Sequence, residues 1–225
     1  MTFKRRFFGV AACAVTLFGL SATANATITG TGCVLTTGAA GQTLPATIAL
    51  FTSTCATAGV GNNFTFSPAT DSLSFNLPLG GTNTPAGLLT TGGVTCVGPG
   101  CGLLGSTGSN STWYRFSYTA NVGTTYTIAG GIQHDDGIQL FIDNVLKVTS
   151  PGPTPSINTT VSVSGLTAVN HQIDLLYDEC CNLPAVLTAN LPGEVTGVPE
   201  PTSIALLGSV VFLVTTKLRR RKVSS

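Results

Sequence analysis

The chain has 225 residues, of which 43% are apolar and only 8% are charged, whereas charged residues make up about 25% of an average domain. Residues 27–198 include two basic residues (Arg115 and Lys147) and eight acidic ones, so this part carries a net charge of 2 − 8 = −6. Nucleic-acid binding requires a basic surface and is therefore excluded. The acidic residues are Asp71, Asp135, Asp136, Asp143, Asp174, Asp178, Glu179 and Glu194.

Residues 1–26 have the three parts of a secretory signal peptide. A basic start at Lys4, Arg5 and Arg6 precedes an apolar run over residues 7–20, and Ala24-Asn25-Ala26 matches the small-residue cleavage site. The apolar run is too short for a retained membrane helix. The sequence therefore predicts export of everything that follows.

Residues 27–111 predict short strands separated by turns. Apolar runs over residues 47–51, 63–66 and 73–77 lie between segments rich in Gly, Thr and Pro, as in the strands of a β-sandwich. Residues 85–108 are dominated by Gly, Thr and Leu and predict long loops. No segment of the chain predicts a helix of the folded domain.

Six cysteines remain after the signal peptide, at positions 33, 55, 96, 101, 180 and 181. An even number in an exported chain indicates disulfides, with fifteen possible connectivities. Cys96 and Cys101 flank a turn and could close it, and Cys33 with Cys55 would link the first strands. The adjacent Cys180 and Cys181 either bridge each other or reach two different loops. A zinc site is disfavoured because paired Cys-x-x-Cys motifs are absent from the sequence.

Residues 126–148 predict two strands joined by a tight turn. Ile138, Leu140 and Ile142 alternate with other residues at the period of a strand with one face toward the core. Asp143-Asn144 then interrupts the apolar pattern, which resumes at Val145. Because Asn and Asp tolerate positive φ, this pair predicts a two-residue hairpin.

Asp135 and Asp136 precede that strand and are adjacent. Neighbouring carboxylates repel each other, so a folded protein rarely keeps them close without a cation. Six of the eight acids lie between Asp135 and Glu179, which favours a hard cation such as calcium. Asp174 and Glu194 are interpreted as solvated surface acids. His134 is interpreted as a hydrogen-bonding residue at the rim, because no activated nucleophile accompanies it and an enzyme is not predicted.

The run from His134 to Asn144 (HDDGIQLFIDN) resembles the core motif of the protective-antigen-type β-sandwich domain, and the resemblance extends over residues 111–192. In sugar-binding members of that family, two Asp joined by a cis peptide bond hold calcium, which contacts sugar hydroxyls. An Asn of a later loop assists. The resemblance implies these roles for Asp135, Asp136 and Asn182, whereas the adjacent Cys180-Cys181 departs from the family pattern. Other members use the fold structurally, without calcium or sugar.

The end of the chain resembles the PEP-CTERM sorting tail. Residues 194–201 form a linker that ends in Pro199-Glu200-Pro201, and residues 202–225 contain a short apolar run followed by Arg219, Arg220 and Arg221. About 15 to 17 apolar residues span roughly 25 Å, enough for a thin membrane crossing with the basic end in the cytoplasm. The resemblance implies processing by an exosortase, a membrane transpeptidase. The alternative is a plain single-span anchor.

Together these patterns predict an antiparallel, jelly-roll-like β-sandwich over residues 27–193. Exported through the inner membrane and transiently anchored there, it would reach the cell surface or extracellular matrix. The resemblances imply a non-enzymatic, calcium-dependent carbohydrate-binding module associated with exopolysaccharide or biofilm. The alternative function is that of a structural matrix protein without metal or ligand.

Overall fold

The computed structural model describes residues 28–36, 44–68, 72–105, 110–167 and 170–192. The expected signal peptide, the Pro-Glu-Pro linker and the C-terminal apolar segment all lie outside these ranges, as do Asp71 and Glu194. Within the described ranges, no helix has the length and apolar character needed to cross a membrane.

The described residues form two antiparallel sheets and two short α-helices. A seven-stranded sheet has the order β4-β2-β1-β5-β10-β7-β8, and a four-stranded sheet has the order β3-β11-β6-β9. The helices are α1 (Ile48–Thr57) and α2 (Pro85–Thr91). The strands are β1 (Thr29–Leu35), β2 (Asn63–Phe66), β3 (Ser72–Leu77), β4 (Cys96–Val97), β5 (Ser111–Asn121), β6 (Thr125–His134), β7 (Ile138–Ile142), β8 (Val145–Ser150), β9 (Ile157–Ser164), β10 (Asn170–Glu179) and β11 (Ala185–Asn190).

The two sheets pack face to face around one apolar core. Alternation along β3 turns Leu73, Phe75 and Leu77 inward, and the ring of Phe75 stacks on Phe116 of the opposite sheet at 5.9 Å. The hydroxyl groups of Tyr118 and Tyr126 meet across the core at 2.6 Å. The predicted antiparallel sandwich is therefore confirmed for the described residues.

The hairpin between β7 and β8 is confirmed. Asp143 and Asn144 have φ values of 52° and 63°, and Ile142 pairs with Val145 directly across the two-residue turn. The expectation that β7 has a single core-facing side is wrong, because all five of its residues are buried. Its second face, at Phe141, packs in a smaller apolar cluster with Trp113 and Phe51.

Two helices lie where the sequence predicts a strand and a long loop. Residues 47–51 were expected to form a strand, but α1 begins there with the Thr47 hydroxyl accepting a hydrogen bond from the Leu50 N–H at 3.1 Å. Its Phe51 packs on Trp113 with ring centroids 5.9 Å apart. The expected loop over residues 85–108 contains α2, β4 and a 3-10 turn. The Thr84 side chain caps α2, and Pro85 occupies its first turn.

Three disulfides lie within the described residues: Cys33–Cys55, Cys96–Cys101 and the vicinal pair Cys180–Cys181. The first attaches α1 to β1. The second closes the turn after β4, and the third lies in the loop between β10 and β11. The two alternatives left open for Cys180 and Cys181 thus resolve to the vicinal bridge.

Asp174 is buried, which contradicts its interpretation as a solvated surface acid. Its side chain is 0% exposed, and its Oδ1 accepts a hydrogen bond from Arg115 Nε at 2.8 Å. Asp174 pairs with Ser117 of β5 in the sheet register, two positions from Arg115. The antiparallel register therefore brings this acid and this base together.

Candidate functional site

Three loops meet at one end of the sandwich. The acidic loop, residues 135–137, joins β6 to β7, and a loop over residues 180–184 joins β10 to β11. Both loops cross between the sheets at the same end, because β11 pairs with β6 and β10 pairs with β7. The third loop, residues 151–156, follows β8. Its Thr154 donates hydrogen bonds to the Asp135 carbonyl from its N–H at 3.0 Å and from its hydroxyl at 2.7 Å.

The third loop lies very close to the acidic loop. A Cβ on Gly152 would stand 2.5 Å from the backbone nitrogen of Gly137, so a larger residue at position 152 would force the loops apart. The Gly137 carbonyl in turn accepts a hydrogen bond from the Asp178 N–H at 2.8 Å. The backbone around Asp135 and Asp136 is therefore held from two sides.

This arrangement gathers three buried carboxylates, which we call the acidic cluster: Asp135, Asp136 and Glu179. One carboxylate oxygen of each lies within 4.8 Å of the others. All three residues are buried, with exposed fractions of 5%, 5% and 3%. The sequence interpretation identified the two aspartates but missed Glu179, and the structure brings it to them.

Among the residues that the structure describes, hydrogen bonds leave one oxygen of the two aspartates of the acidic cluster unsatisfied. The Tyr177 hydroxyl lies 2.8 Å from Asp135 Oδ1 and 2.5 Å from Glu179 Oε2, but its one proton can serve only one of them at a time. The Cys180 N–H donates to Asp136 Oδ2 at 2.7 Å. Asp135 Oδ2 is buried without a hydrogen-bond partner among the described residues. A bare carboxylate oxygen in this position is costly unless a proton or a cation reaches it.

Burial shifts the proton affinities of these acids upward. It raises the pKa of Asp136 from 3.8 to about 6. The hydrogen bond from the Cys180 N–H lowers this pKa, and the negative charge of Asp135 raises it. Burial also raises the pKa of Asp135, against hydrogen bonds from the Val186 backbone and Tyr177. The neighbouring Asp178 has its pKa raised to about 8 by burial, partly offset by its hydrogen bond from Ser111.

His134 does not neutralise the cluster. It is fully buried rather than at the rim, and its Nδ1 lies 2.5 Å from the Asp136 carbonyl oxygen, so Nδ1 carries the proton that is donated there. Nε2 lies 2.7 Å from the Thr159 hydroxyl, from which it can accept a hydrogen bond. Burial lowers the pKa of His134, which favours this neutral form.

The basic side chains of the described residues form no ion pair with Asp135 or Asp136. Arg115 pairs with Asp174, and Lys147 is exposed on β8. Of the histidines, His171 pairs with Asp143 at the hairpin. Within the described part of the chain, no ion pair therefore joins Asp135 or Asp136 to a basic side chain. The negative charge of these aspartates and the unpartnered Asp135 oxygen fit a hard cation with oxygen ligands.

A cavity of about 320 Å³ opens at the acidic cluster. Asn182 lies in its wall with φ at 82°, in the loop where the resemblance implied a third ligand. The implied cis bond between Asp135 and Asp136 is wrong. Among the described residues, the cis bonds are Gly152–Pro153 and Leu183–Pro184. The cavity is lined by Asp135, Asp136, Pro153, Thr154, Pro155, Ser156, Cys180, Cys181, Asn182 and Pro184.

Comparison with known proteins identifies the fold. A PA14 sugar-binding domain from an RTX adhesin matches 76% of this chain and 96% of its own length, with 15% identity and a TM-score of 0.52. The PA14 domain of the MpAFP antifreeze protein matches 75% of this chain and 82% of its own, with 13% identity and a TM-score of 0.47. No protein-family model and no curated protein sequence matches the chain. The described domain thus has the fold of PA14 domains, which is the protective-antigen-type sandwich.

Proposed function

We propose that this protein is an exported, non-enzymatic carbohydrate-binding module that holds a saccharide through a calcium ion at the acidic cluster. The observation that carries the proposal is the cluster itself. It combines three buried carboxylates, of which Asp135 and Asp136 line an open cavity, and one oxygen of Asp135 has no hydrogen-bond partner among the described residues. Sugar binding by the RTX adhesin domain of the same fold supports the choice of ligand.

Asp135, Asp136 and Glu179 would supply the charged ligands, and the side chain of Asn182 would complete the set from the cavity wall. Calcium, when bound, would offset two of the three negative charges of the cluster and leave coordination positions for two hydroxyl groups of a sugar. Calcium accepts six to eight oxygen ligands in flexible geometry, whereas magnesium requires a tighter octahedron. The mixed set of carboxylates and one amide, of which all but Glu179 lie on loops, therefore favours calcium.

Binding to a glycan array tests the proposal. The purified protein should label a subset of glycans in calcium, and EDTA should remove the signal. Asp136→Asn should abolish binding, whereas Asp143→Asn, a carboxylate at the exposed hairpin, should retain it. Binding that persists undiminished in EDTA would contradict the calcium assignment. A wild-type protein that binds no glycan but folds normally would favour the alternative, a structural matrix protein.

We also propose that the C-terminal tail directs the module outside the cell. The Pro199-Glu200-Pro201 motif, the apolar run and the basic end would anchor the chain in the membrane until an exosortase cuts near the motif. Release would place the module at the cell surface or in the exopolysaccharide matrix of a biofilm. Alanines at positions 199–201 should leave the protein in the membrane fraction with its C-terminal tail still attached. A mutant that is still shortened near Val198 would contradict the sorting proposal.

A further inference from the structure

A second cavity, of about 360 Å³, is lined by residues of helix α1 and of strands β1, β2 and β5. It shares no lining residue with the cavity at the acidic cluster. The Cys33–Cys55 bridge attaches α1 to β1 and so fixes the helix over this face of the seven-stranded sheet. Helix α1 contributes Phe51, Thr52, Cys55 and Ala56 to the lining.

The strand register brings polar side chains of three strands into one row at this second cavity. Thr31 of β1 pairs with Thr65 of β2 and with Arg115 of β5. Residues directly opposite each other in an antiparallel pair have their side chains on the same face of the sheet. Asn63 lies two positions before Thr65 and therefore shares that face. All four residues line the cavity, and Arg115 is the charged residue of its lining.

Arg115 is held through one N–H and keeps the others for a bound molecule. Its Nε donates to Asp174 Oδ1 at 2.8 Å, while Asp174 Oδ2 has no hydrogen-bond partner among the described residues. The two Nη groups of Arg115 therefore do not bind Asp174, and they form no hydrogen bond with any other described residue. Asp174 lies on β10, which flanks β5 on the side away from β1, and it does not line the cavity. The Arg115 side chain is 24% exposed, so a molecule in the cavity can reach it.

These donors favour a carboxylate as the ligand group. A guanidinium carries paired N–H groups whose spacing matches the two oxygens of a carboxylate. The Asn63 side chain forms no hydrogen bond with the other described residues, so its amide nitrogen is a further donor in the same wall. Since Arg115 is the charged residue of this lining, the cavity favours a negatively charged ligand.

The remaining lining suits the body of a small sugar. Phe51 and Ala56 provide apolar atoms, against which C–H groups can pack. The Thr52 hydroxyl donates to the Ile48 carbonyl at 3.0 Å and can still accept a hydrogen bond, as can the hydroxyl of Thr31. Cavities that hold small ligands have volumes of about 300 to 1,000 Å³, and this one lies at the lower end of that range, which suits a single monosaccharide.

From this arrangement we infer that the second cavity binds a sugar acid, such as a hexuronate. The carboxylate of the ligand pairs with the Nη groups of Arg115 and accepts a hydrogen bond from the Asn63 amide, and its ring packs against α1. Asp174 is a positioning residue, because it holds the guanidinium through Nε without touching the ligand. This inference goes beyond the proposed function and does not depend on it, since the site needs no calcium.

Calorimetric titration of sodium glucuronate into the purified, oxidised protein in EDTA tests this site without a contribution from calcium. The decisive variant is Thr52→Glu, which adds a carboxylate at an exposed position of the cavity lining. The matched control is Ser53→Glu, at the next position of α1, which is exposed but outside the lining. A second variant, Arg115→Met with Asp174→Asn, removes the guanidinium together with its buried partner. Glucose and N-acetyl-dialanine serve as a neutral sugar and a carboxylate without a sugar.

We expect the wild type and Ser53→Glu to bind glucuronate saturably, with a dissociation constant on the order of millimolar. Thr52→Glu should weaken binding at least about tenfold, because its carboxylate repels that of the ligand. The double variant should lose binding while it melts near the wild-type temperature. Glucose and N-acetyl-dialanine should each bind about tenfold more weakly than glucuronate, since each lacks part of the recognised group.

Other outcomes overturn the inference in distinguishable ways. Glucose that binds as tightly as glucuronate would exclude recognition of the carboxylate, and N-acetyl-dialanine that does so would exclude the sugar-acid class. Equal effects of Thr52→Glu and Ser53→Glu, or binding retained by the double variant, would place the ligand outside this cavity. If the wild type binds no glucuronate in EDTA, the site does not exist; glucuronate that then binds only in calcium would belong to the acidic cluster, and the proposed function would stand.

Discussion

Replacing Asp136 by asparagine should stabilise the protein when calcium is absent and destabilise it, relative to the wild type, when calcium is bound. Burial raises the pKa of Asp136 from 3.8 to about 6, so the folded state holds this proton more tightly than the unfolded chain. Between these two values the folded protein binds more protons, and its stability therefore falls as the pH rises from about 4 to about 6. Above pH 6 and without metal, the buried charge of Asp136 lowers the free energy of unfolding by its full amount.

The magnitude follows from the shift in pKa. A rise of roughly two pH units corresponds to about 3 kcal/mol of differential free energy between the charged and neutral forms. Asparagine removes the charge and can still accept the hydrogen bond that the Cys180 N–H donates to Asp136. In EDTA at pH 8, Asp136→Asn should therefore be more stable than the wild type by up to about 3 kcal/mol, or roughly 5 to 10 °C in Tm. At pH 4 the difference should nearly vanish.

Calcium should reverse this order at pH 8. At free calcium about one thousand times the dissociation constant, the wild type gains about 4.1 kcal/mol by mass action, which exceeds the lead of up to about 3 kcal/mol that the variant has in EDTA, and the variant should gain nothing. The assay is thermal unfolding followed by circular dichroism at both pH values, in EDTA and in calcium. Asp143→Asn, whose carboxylate is 53% exposed at the hairpin, serves as the control and should respond to calcium like the wild type. A variant that is less stable than the wild type in EDTA at pH 8, or that responds equally to calcium, would refute this reasoning.

Three further predictions follow from the described contacts. Glu179→Gln should weaken calcium binding at least about tenfold in a titration, because it removes one of three charged ligands; an unchanged affinity would exclude Glu179 from the site. Arg115→Met should destabilise the protein by about 3 kcal/mol in urea unfolding, because Asp174 is then buried without its partner. Adding Asp174→Asn should recover most of that loss, and no recovery would contradict the ion-pair explanation. Thiol titration of the mature protein, unfolded without reductant, should find almost no free cysteine, since the described cysteines form three bridges; two or more titratable thiols would refute this pairing.

Local patterns were sufficient to predict strands β2, β3 and β7 and the hairpin that follows β7. A period of two residues and a turn residue that tolerates positive φ are properties of a short segment, and Asp143-Asn144 supplies the turn. Helix α1 was missed because its sequence, IALFTSTCAT, is rich in threonine and has weak helix propensity. The Cys33–Cys55 bridge and the packing of Phe51 on Trp113 stabilise it, and these contacts are long-range.

The candidate site was predictable only in part, because it too depends on contacts between residues that are distant in the sequence. The adjacent carboxylates of Asp135 and Asp136 are visible in the sequence. The position of Glu179 depends on how β10 pairs with β7 and β5, with Tyr177 opposite Ile138 and Tyr114, and no local pattern specifies that register. Alternation along β10 could have placed Tyr177 and Glu179 on one face, but not beside Asp135. The same lack of register information made Asp174 look like a surface acid.

Calorimetric titration of calcium into the purified protein at pH 8 tests the central claim most directly, because the sugar does not have to be identified first. The acidic cluster predicts saturable binding of one calcium per chain, lost in Asp136→Asn and retained in Asp143→Asn. Binding should weaken steeply below pH 6, where protons compete for the carboxylate whose pKa lies at about 6. If the titration shows no heat of binding and calcium also leaves the melting temperature unchanged, the claim that this cluster is a calcium site is contradicted.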